Sequence, residues 1–225
     1  MKKENLLNWI ELSESALSKN LKSLSQLAGK RAVAVSVKAN AYGHGLSEIV
    51  PLLNKNKRIE YITVHSLDEA AQARRAGWKR RIMALGPIAQ RQLKEVFALN
   101  LEPTVFEINT LRELGKLSNK YKKPVRTHLK LETGTNRQGL TEEELPKFAK
   151  VYKTYPFLKK PYGCSTHFAN IEDTTNHEYA EYQLQNFNRL VKKLETLKIK
   201  PDIRHTASSA ALILFDKTRF ELVRP

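Results

Sequence analysis

The sequence holds a single cysteine, Cys164, so no internal disulfide can form, and this usage suits a reducing cytoplasm. No run of about 18 apolar residues occurs, so no membrane span is expected. The opening MKKENLLNWIELSES has two lysines but turns acidic and polar before any long apolar stretch, which argues against a secretory leader. Repeats, low-complexity tracts and long linkers are missing as well. The 225 residues therefore read as one large α/β domain with room for a sizeable core.

Acidic residues are also scarce, with 23 Asp and Glu against 39 Lys and Arg and a formal charge of +16. A nucleic-acid binder concentrates such charge on one element with aromatic residues among it. Here the cations are dispersed, from Arg74 and Arg75 through Lys116, Lys120 and Lys159 to Lys192 and Lys200. Most fall on expected helices or at their ends, as on a solvated outer face. No specific nucleic-acid partner is expected, although the excess charge draws anions non-specifically.

Strand and helix patterns alternate along the chain. Ser13 or Ser15 caps a first helix whose Leu17, Leu21, Leu24 and Leu27 form one apolar stripe, closed by Gly29. The β-branched run Val33, Val35, Val37 is a buried strand. Further strands are expected at Tyr61–Val64, Ile82–Leu85, Glu102–Phe106, Val125–Leu131, Tyr162–His167, Pro201–His205 and Phe220–Val223. Between them come a helix from the Ser66/Glu69 capping box, one after Asn109, one from the Thr141/Glu144 box, a long one over Tyr179–Leu197 and one from about Ser208. Pro146 sits early in the Thr141 helix and predicts a distorted or late start. Eight strands separated by helices, after an extra N-terminal helix, predict a (β/α)₈ barrel of the TIM type. An open doubly wound sheet usually carries G-x-G-x-x-G after its first strand, and no such motif occurs.

The first strand ends at Lys38, followed by a loop with Tyr42, Gly43, His44 and Gly45. A lysine ending a buried strand at a glycine-bearing loop is an unusual place for a strongly hydrated charge. A partly desolvated amine sheds its proton more readily, and the neutral amine attacks a carbonyl to form a Schiff base. A snorkelling strand-end lysine is the plainer alternative.

The stretch Lys38-Ala39-Asn40-Ala41-Tyr42-Gly43-His44-Gly45 resembles the pyridoxal-phosphate (PLP) lysine motif of the alanine racemases, and Asn8 to Leu24 resembles their opening. The resemblance implies that Lys38 holds PLP as a Schiff base and that the Tyr42 hydroxyl binds its phosphate. Lys130 to Gly139 is similar to the family's K-x-D-T-G-M-x-R-x-G element, with Glu132 and Thr135 in place of its Asp and Met. Arg137 then matches the arginine that contacts the cofactor's phenolic oxygen and orients the substrate carboxylate, and Lys130 matches a lysine carbamylated in some members. His167, in Thr166-His167-Phe168-Ala169, matches a histidine beside the cofactor ring. His205 to Ala210 resembles H-x-A-N-S-A, so that Ser209 binds phosphate and Ser208, replacing the usual asparagine, contacts it more weakly. Arg224, in Leu222-Val223-Arg224-Pro225, matches the arginine that bonds the pyridine nitrogen and keeps it unprotonated.

These likenesses imply a cytoplasmic PLP-dependent racemase that interconverts L- and D-alanine for peptidoglycan precursors, with no metal site. Residues 1–225 would be its N-terminal barrel domain, and the stop after Arg224-Pro225 reads as a truncation before the family's C-terminal β domain. In the family's homodimer that domain carries a tyrosine to the partner's site, where racemisation needs a second acid–base group. A fragment without it should be impaired alone. The alternative reading is a single-barrel PLP-binding homeostasis protein without racemase activity.

Overall fold

The computed structural model describes residues 7–172 and 176–225. The leader reading rests in part on residues 1–6, which lie outside the described residues. The first helix, α1 (Glu14–Ala28), is capped by the Ser13 hydroxyl, which accepts from the Ala16 N–H, and ends at Gly29 with φ +63°. Its apolar stripe differs from the expected one at the last position. Leu21 and Ala28 are buried, whereas Leu27 is 39% exposed, because the stripe drifts by one residue over its final turn.

Strand β1 (Ala32–Ser36) leads into α2 (Lys38–Tyr42) and α3 (Leu46–Asn54). β2 (Ile59–Val64) is followed by α4 (Leu67–Arg75), and β3 (Arg81–Ala84) by α5 (Lys94–Ala98). β4 (Leu101–Val105) precedes α6 (Ile108–Tyr121), and β5 (His128–Lys130) precedes α7 (Leu145–Thr154). β6 (Gly163–Ser165), α8 (Glu178–Thr196), β7 (Ile203–His205), α9 (Ser209–Leu214) and β8 (Leu222–Val223) complete the order. Both capping boxes form: Ser66 with Glu69 starts α4, and Thr141 with Glu144 opens a short 3₁₀ turn. That turn delays α7, so Pro146 falls in its first turn, where a missing N–H costs nothing.

All pairs between neighbouring strands are parallel, in the order β7-β6-β5-β4-β3-β2-β1-β8. This is the expected (β/α)₈ barrel after an extra helix, with one seam of different chemistry. Among the described residues no ladder joins β7 to β8. Instead the Arg204 N–H donates to Glu221 Oε2 at 2.8 Å, and the Arg204 guanidinium grips both oxygens of the same carboxylate. Above it the Arg224 N–H donates to Ala207 O at 2.9 Å.

The main core lies between strands and helices, with Trp78, Phe148, Phe187 and many aliphatic residues fully buried. A smaller cluster of Ala34, Tyr61, Met83 and Leu222 fills the barrel. Side chains alternate along a strand, so every second residue points inward. Ser36, Thr63, Thr104, Lys130, Ser165 and Arg224 thereby reach the carboxyl end of the barrel.

The expected strand Val125–Leu131 shortens to His128–Lys130. Pro124 and the approach of Thr127 O to the N–H groups of Tyr162 and Gly163 leave its first residues outside the ladder, while Leu131 bridges Leu140.

Candidate active site

At the carboxyl ends of the strands lies a cavity of about 690 Å³. Lys38 enters it from β1, but not directly from the strand end. The strand stops at Ser36, and after Val37 the chain winds left-handed, with φ of 52°, 53°, 54° and 53° at Ala39, Asn40, Ala41 and Tyr42. Such a turn is disfavoured for L-residues and is held here from outside it. The Asn40 side chain accepts from the Leu46 N–H at 2.8 Å, Asn40 O accepts from the Gly45 N–H at 3.0 Å, and a His44 Nδ1–Ala41 O contact of 2.9 Å adds to these. The expected open loop is thus a wound turn, with Tyr42 59% exposed, its hydroxyl 3.4 Å from Ser36 Oγ and its ring centroid 6.0 Å from Lys38 Nζ.

Arg137 arrives from the loop between β5 and α7. That loop folds back through Leu140 N–H to Lys130 O and Glu132 N–H to Leu140 O. Gly139, at φ +153°, permits the close approach: a Cβ there would lie 2.6 Å from the Glu132 nitrogen. Arg137 stands exposed at the cavity mouth, while Lys130 is buried on its wall. Burial first, and then the positive charges of Arg224 and Arg137, push the Lys130 amine well below the ordinary lysine range. Burial and the same cations, with Lys130 and Lys38, bring His167 down to about 3, so its ring is neutral. The His167 carbonyl is fixed by Gln183 at 3.1 Å and by the Thr135 hydroxyl.

Ser208 and Ser209 line the opposite rim. Ser208 Oγ caps α9, accepting from the Ala211 N–H at 3.4 Å, and donates to Glu172 Oε1 at 3.3 Å. Among the described residues Glu172 is the one carboxylate lining the cavity, against Lys38, Lys130, Arg137 and Arg224. Arg224 comes from the end of β8; burial lowers it to about 10, so it stays charged at neutral pH. Its Nη2 donates to Thr166 O at 3.3 Å, while its buried Nε has no hydrogen-bond partner among the described residues. One cavity therefore gathers Lys38, Tyr42, Arg137, His167, Ser208, Ser209 and Arg224.

Sequence reasoning missed the layer beneath. Inside the barrel Glu102 Oε2 lies 2.9 Å from His128 Nε2, and His128 Nδ1 lies 2.8 Å from His205 Nε2. Arg81 Nε donates to Glu102 Oε1 at 2.6 Å and its Nη1 to the Tyr162 hydroxyl at 2.8 Å. A Cβ at Gly163 would meet His128 Nδ1 at 2.2 Å, so only glycine leaves room for this histidine. The available signal was polar residues at inward positions of consecutive strands. Thr63, His65, Thr104 and Gln138 also line the cavity and were not anticipated.

Residues 12–225 match the model of the alanine racemase N-terminal domain. The chain belongs to the alanine racemase N-terminal domain family. It is 33% identical over 218 residues to an alanine racemase of Clostridium novyi, covering 96% of this chain and 56% of its relative. A Desulforamulus reducens alanine racemase is 31% identical over 220 residues, with 96% and 58% covered. The chain thus spans little more than half the length of these relatives. Among solved structures, the Bacillus anthracis alanine racemase with bound L-Ala-P superposes with a TM-score of 0.88 at 28% identity, over 96% of this chain and 55% of that one. A Clostridium difficile 630 alanine racemase in complex with cycloserine gives 0.87 at 25%, over 93% and 57%. Among the described residues no group of three His, Cys, Asp or Glu side chains could hold a metal ion, and no helix is long and apolar enough to cross a membrane.

Proposed function

We propose that the chain forms the cofactor-binding barrel of a PLP-dependent alanine racemase that interconverts L- and D-alanine. The observation that carries this reading is the cavity's charge: among the described residues four basic side chains, one of them an accessible amine, face one carboxylate at the catalytic end of a barrel. Such a set fits a phosphate-bearing pyridine aldehyde, an anion whose phenolic oxygen would meet Arg137 and whose phosphate would take hydroxyl donors in a positive field. When bound, PLP supplies an electron sink beside the substrate's Cα.

The chain's own residues divide the remaining work. Lys38 holds the cofactor and moves a proton at Nζ on one face of Cα. Tyr42, Ser209 and, more weakly, Ser208 bind the phosphate. Arg224, charged and lacking an Nε partner, donates to the ring nitrogen. Arg137, at the mouth, orients the alanine carboxylate. Neutral His167 packs beside the ring without repelling the surrounding cations. Lys130, whose amine holds its proton less tightly than an ordinary lysine because it is buried, is suited to carbamylation, which would convert it to an anion near Arg137.

Racemisation needs a second acid–base group on the other face. His167, at about 3, is too weak a base for neutral pH. We assign that role to a tyrosine of a further β domain, delivered across a homodimer, and place the enzyme in the cytoplasm, where its D-alanine would enter peptidoglycan precursors.

The test of the assignment is borohydride reduction of the PLP-loaded chain followed by peptide mapping. The pyridoxyl adduct should sit on Lys38, and Lys38→Ala should abolish it. An adduct mainly on another lysine would remove the central claim.

A further inference from the structure

A second cavity, of about 590 Å³, opens at the other end of the barrel. Its lining comes from the amino ends of the strands: Arg81 opens β3, Leu101 opens β4, and Asp202 precedes β7. The amino-terminal face of such a barrel ordinarily serves stability, and part of this one does. Arg81, between the rings of Tyr61 and Tyr162 at 4.3 and 4.5 Å, joins Glu102 and plugs the barrel.

Arg80, which donates to the carbonyls of Leu53, Asn56 and Ile59, and Lys123, which donates to Phe97 O, share that structural task, but other residues around the plug do not. Among the described residues seven lysines and arginines line the cavity against two carboxylates, Glu102 and Asp202. Both carboxylates are already engaged, Glu102 by Arg81 and His128 and Asp202 by Lys160. Arg126 reaches Glu102 only at 3.7 Å and is 60% exposed. Among the described residues the ammonium groups of Lys79 and Lys159 have no ion-pair or hydrogen-bond partner. Between these cations the lining includes Val96, Leu101, Val125 and Leu158, with half-buried Phe157 and the edge of Phe97, which is 7% exposed.

Like charges held around one concavity repel one another, and a polyanion seated among them relieves the repulsion. We propose that this cavity is a binding site for a small polyanion carrying a planar ring, the chemistry of a nucleoside triphosphate. The ring would lie against Phe97 and Phe157, and the phosphates would reach Lys79, Arg126 and Lys159. The volume lies within the range of about 300–1,000 Å³ usual for small-ligand sites. A concave site suits a small molecule better than a nucleic-acid duplex, which needs a continuous basic strip along an extended surface. The site is separate from the first cavity and does not depend on the reaction proposed there.

The probe is mant-ATP, titrated into the full 225-residue chain at constant salt, after its first cavity has been blocked by PLP and borohydride. Saturable one-to-one binding is expected, weakened about tenfold or more in the Lys79→Ala/Lys159→Ala double variant, because two phosphate contacts are lost. The control Lys19→Ala/Lys22→Ala, on exposed positions of α1, removes the same charge and should bind as the parent does. Inorganic triphosphate and adenosine should each bind more weakly than the nucleotide, since each supplies half of the recognition. Circular dichroism of both variants checks that the fold is retained. Absence of saturation, equal loss in the two double variants, or elimination of binding by the PLP block would overturn the proposal. So would a DNA duplex that binds more tightly than mant-ATP and is equally insensitive to both pairs of substitutions.

Discussion

His167 shows how burial, reinforced by a cluster of cations, sets the chemistry of a side chain. Burial is the largest cause of its low value of about 3, and Lys130, Arg224, Arg137 and Lys38 add repulsion against a further positive charge. In the unfolded chain the same imidazole titrates near its ordinary value of about 6.5. Stability linked to it is therefore complete above roughly pH 6.5 and is lost as pH falls toward about 3, because only the unfolded state takes up the proton. Between pH 6.5 and 5 one such group accounts for about 2 kcal/mol, at about 1.4 kcal/mol per pH unit. The buried His128 and His205 shift in the same direction, chiefly through burial. Urea unfolding of the cofactor-free chain at pH 7 and pH 5 should show the parent losing about 2 kcal/mol more than His167→Asn. An equal acid loss in both proteins would mean that the folded state protonates this ring as readily as the unfolded one does. The residue was legible from its motif and from its place after a strand. Its charge state was not, because that depends first on burial in the folded barrel and then on Lys130 and Arg224, far apart in sequence and adjacent only once the barrel forms.

Among the elements, the turn after β1 is where sequence patterning gave least warning. Capping boxes, the leucine stripe and the β-branched runs are local signals, and the corresponding helices and strands formed within a few residues of expectation. A left-handed turn at Ala39, Asn40, Ala41 and Tyr42 has no such local signal, since none of the four is glycine. It is imposed by Asn40 bonding to Leu46 and Gly45 beyond the turn. The shortened β5 belongs to the same class, because pairing partners rather than its own residues decide where its ladder begins. Each left-handed L-residue costs roughly 1–2 kcal/mol, so the element that aims Lys38 is strained. Ala39 is exposed, and exchanging its methyl for hydrogen loses no packing. Ala39→Gly should therefore raise stability by about 0.5–1 kcal/mol, the relieved strain exceeding the added freedom of the unfolded chain. The urea midpoint measures this. A lower midpoint for the variant would mean that the turn carries no strain at Ala39.

At the scale of the molecule, the function proposed for the chain gives the barrel one half of a racemisation site. On that reading Lys38 serves one face of Cα, and the other groups are committed differently: His167 is a weak base, Arg224 keeps its proton, Arg137 stands at the mouth, and Tyr42 lies on the same turn as Lys38. The relatives of this family are longer by almost half their length. If the opposite face is served by a tyrosine from a further domain of a partner subunit, the 225-residue chain by itself should load PLP and yet turn over little. Loss of one general acid–base group costs about 10²–10⁴-fold in rate, and phosphate contacts from outside the chain, each about 1.5–3 kcal/mol, would be missing as well. The measurement is conversion of L-alanine to D-alanine with excess PLP, by the chain alone and after the C-terminal portion of a relative is joined to it. The joined protein should be faster by at least about a hundredfold. Equal rates would place both proton-transfer groups within these 225 residues, and the division of the site between two subunits would be wrong.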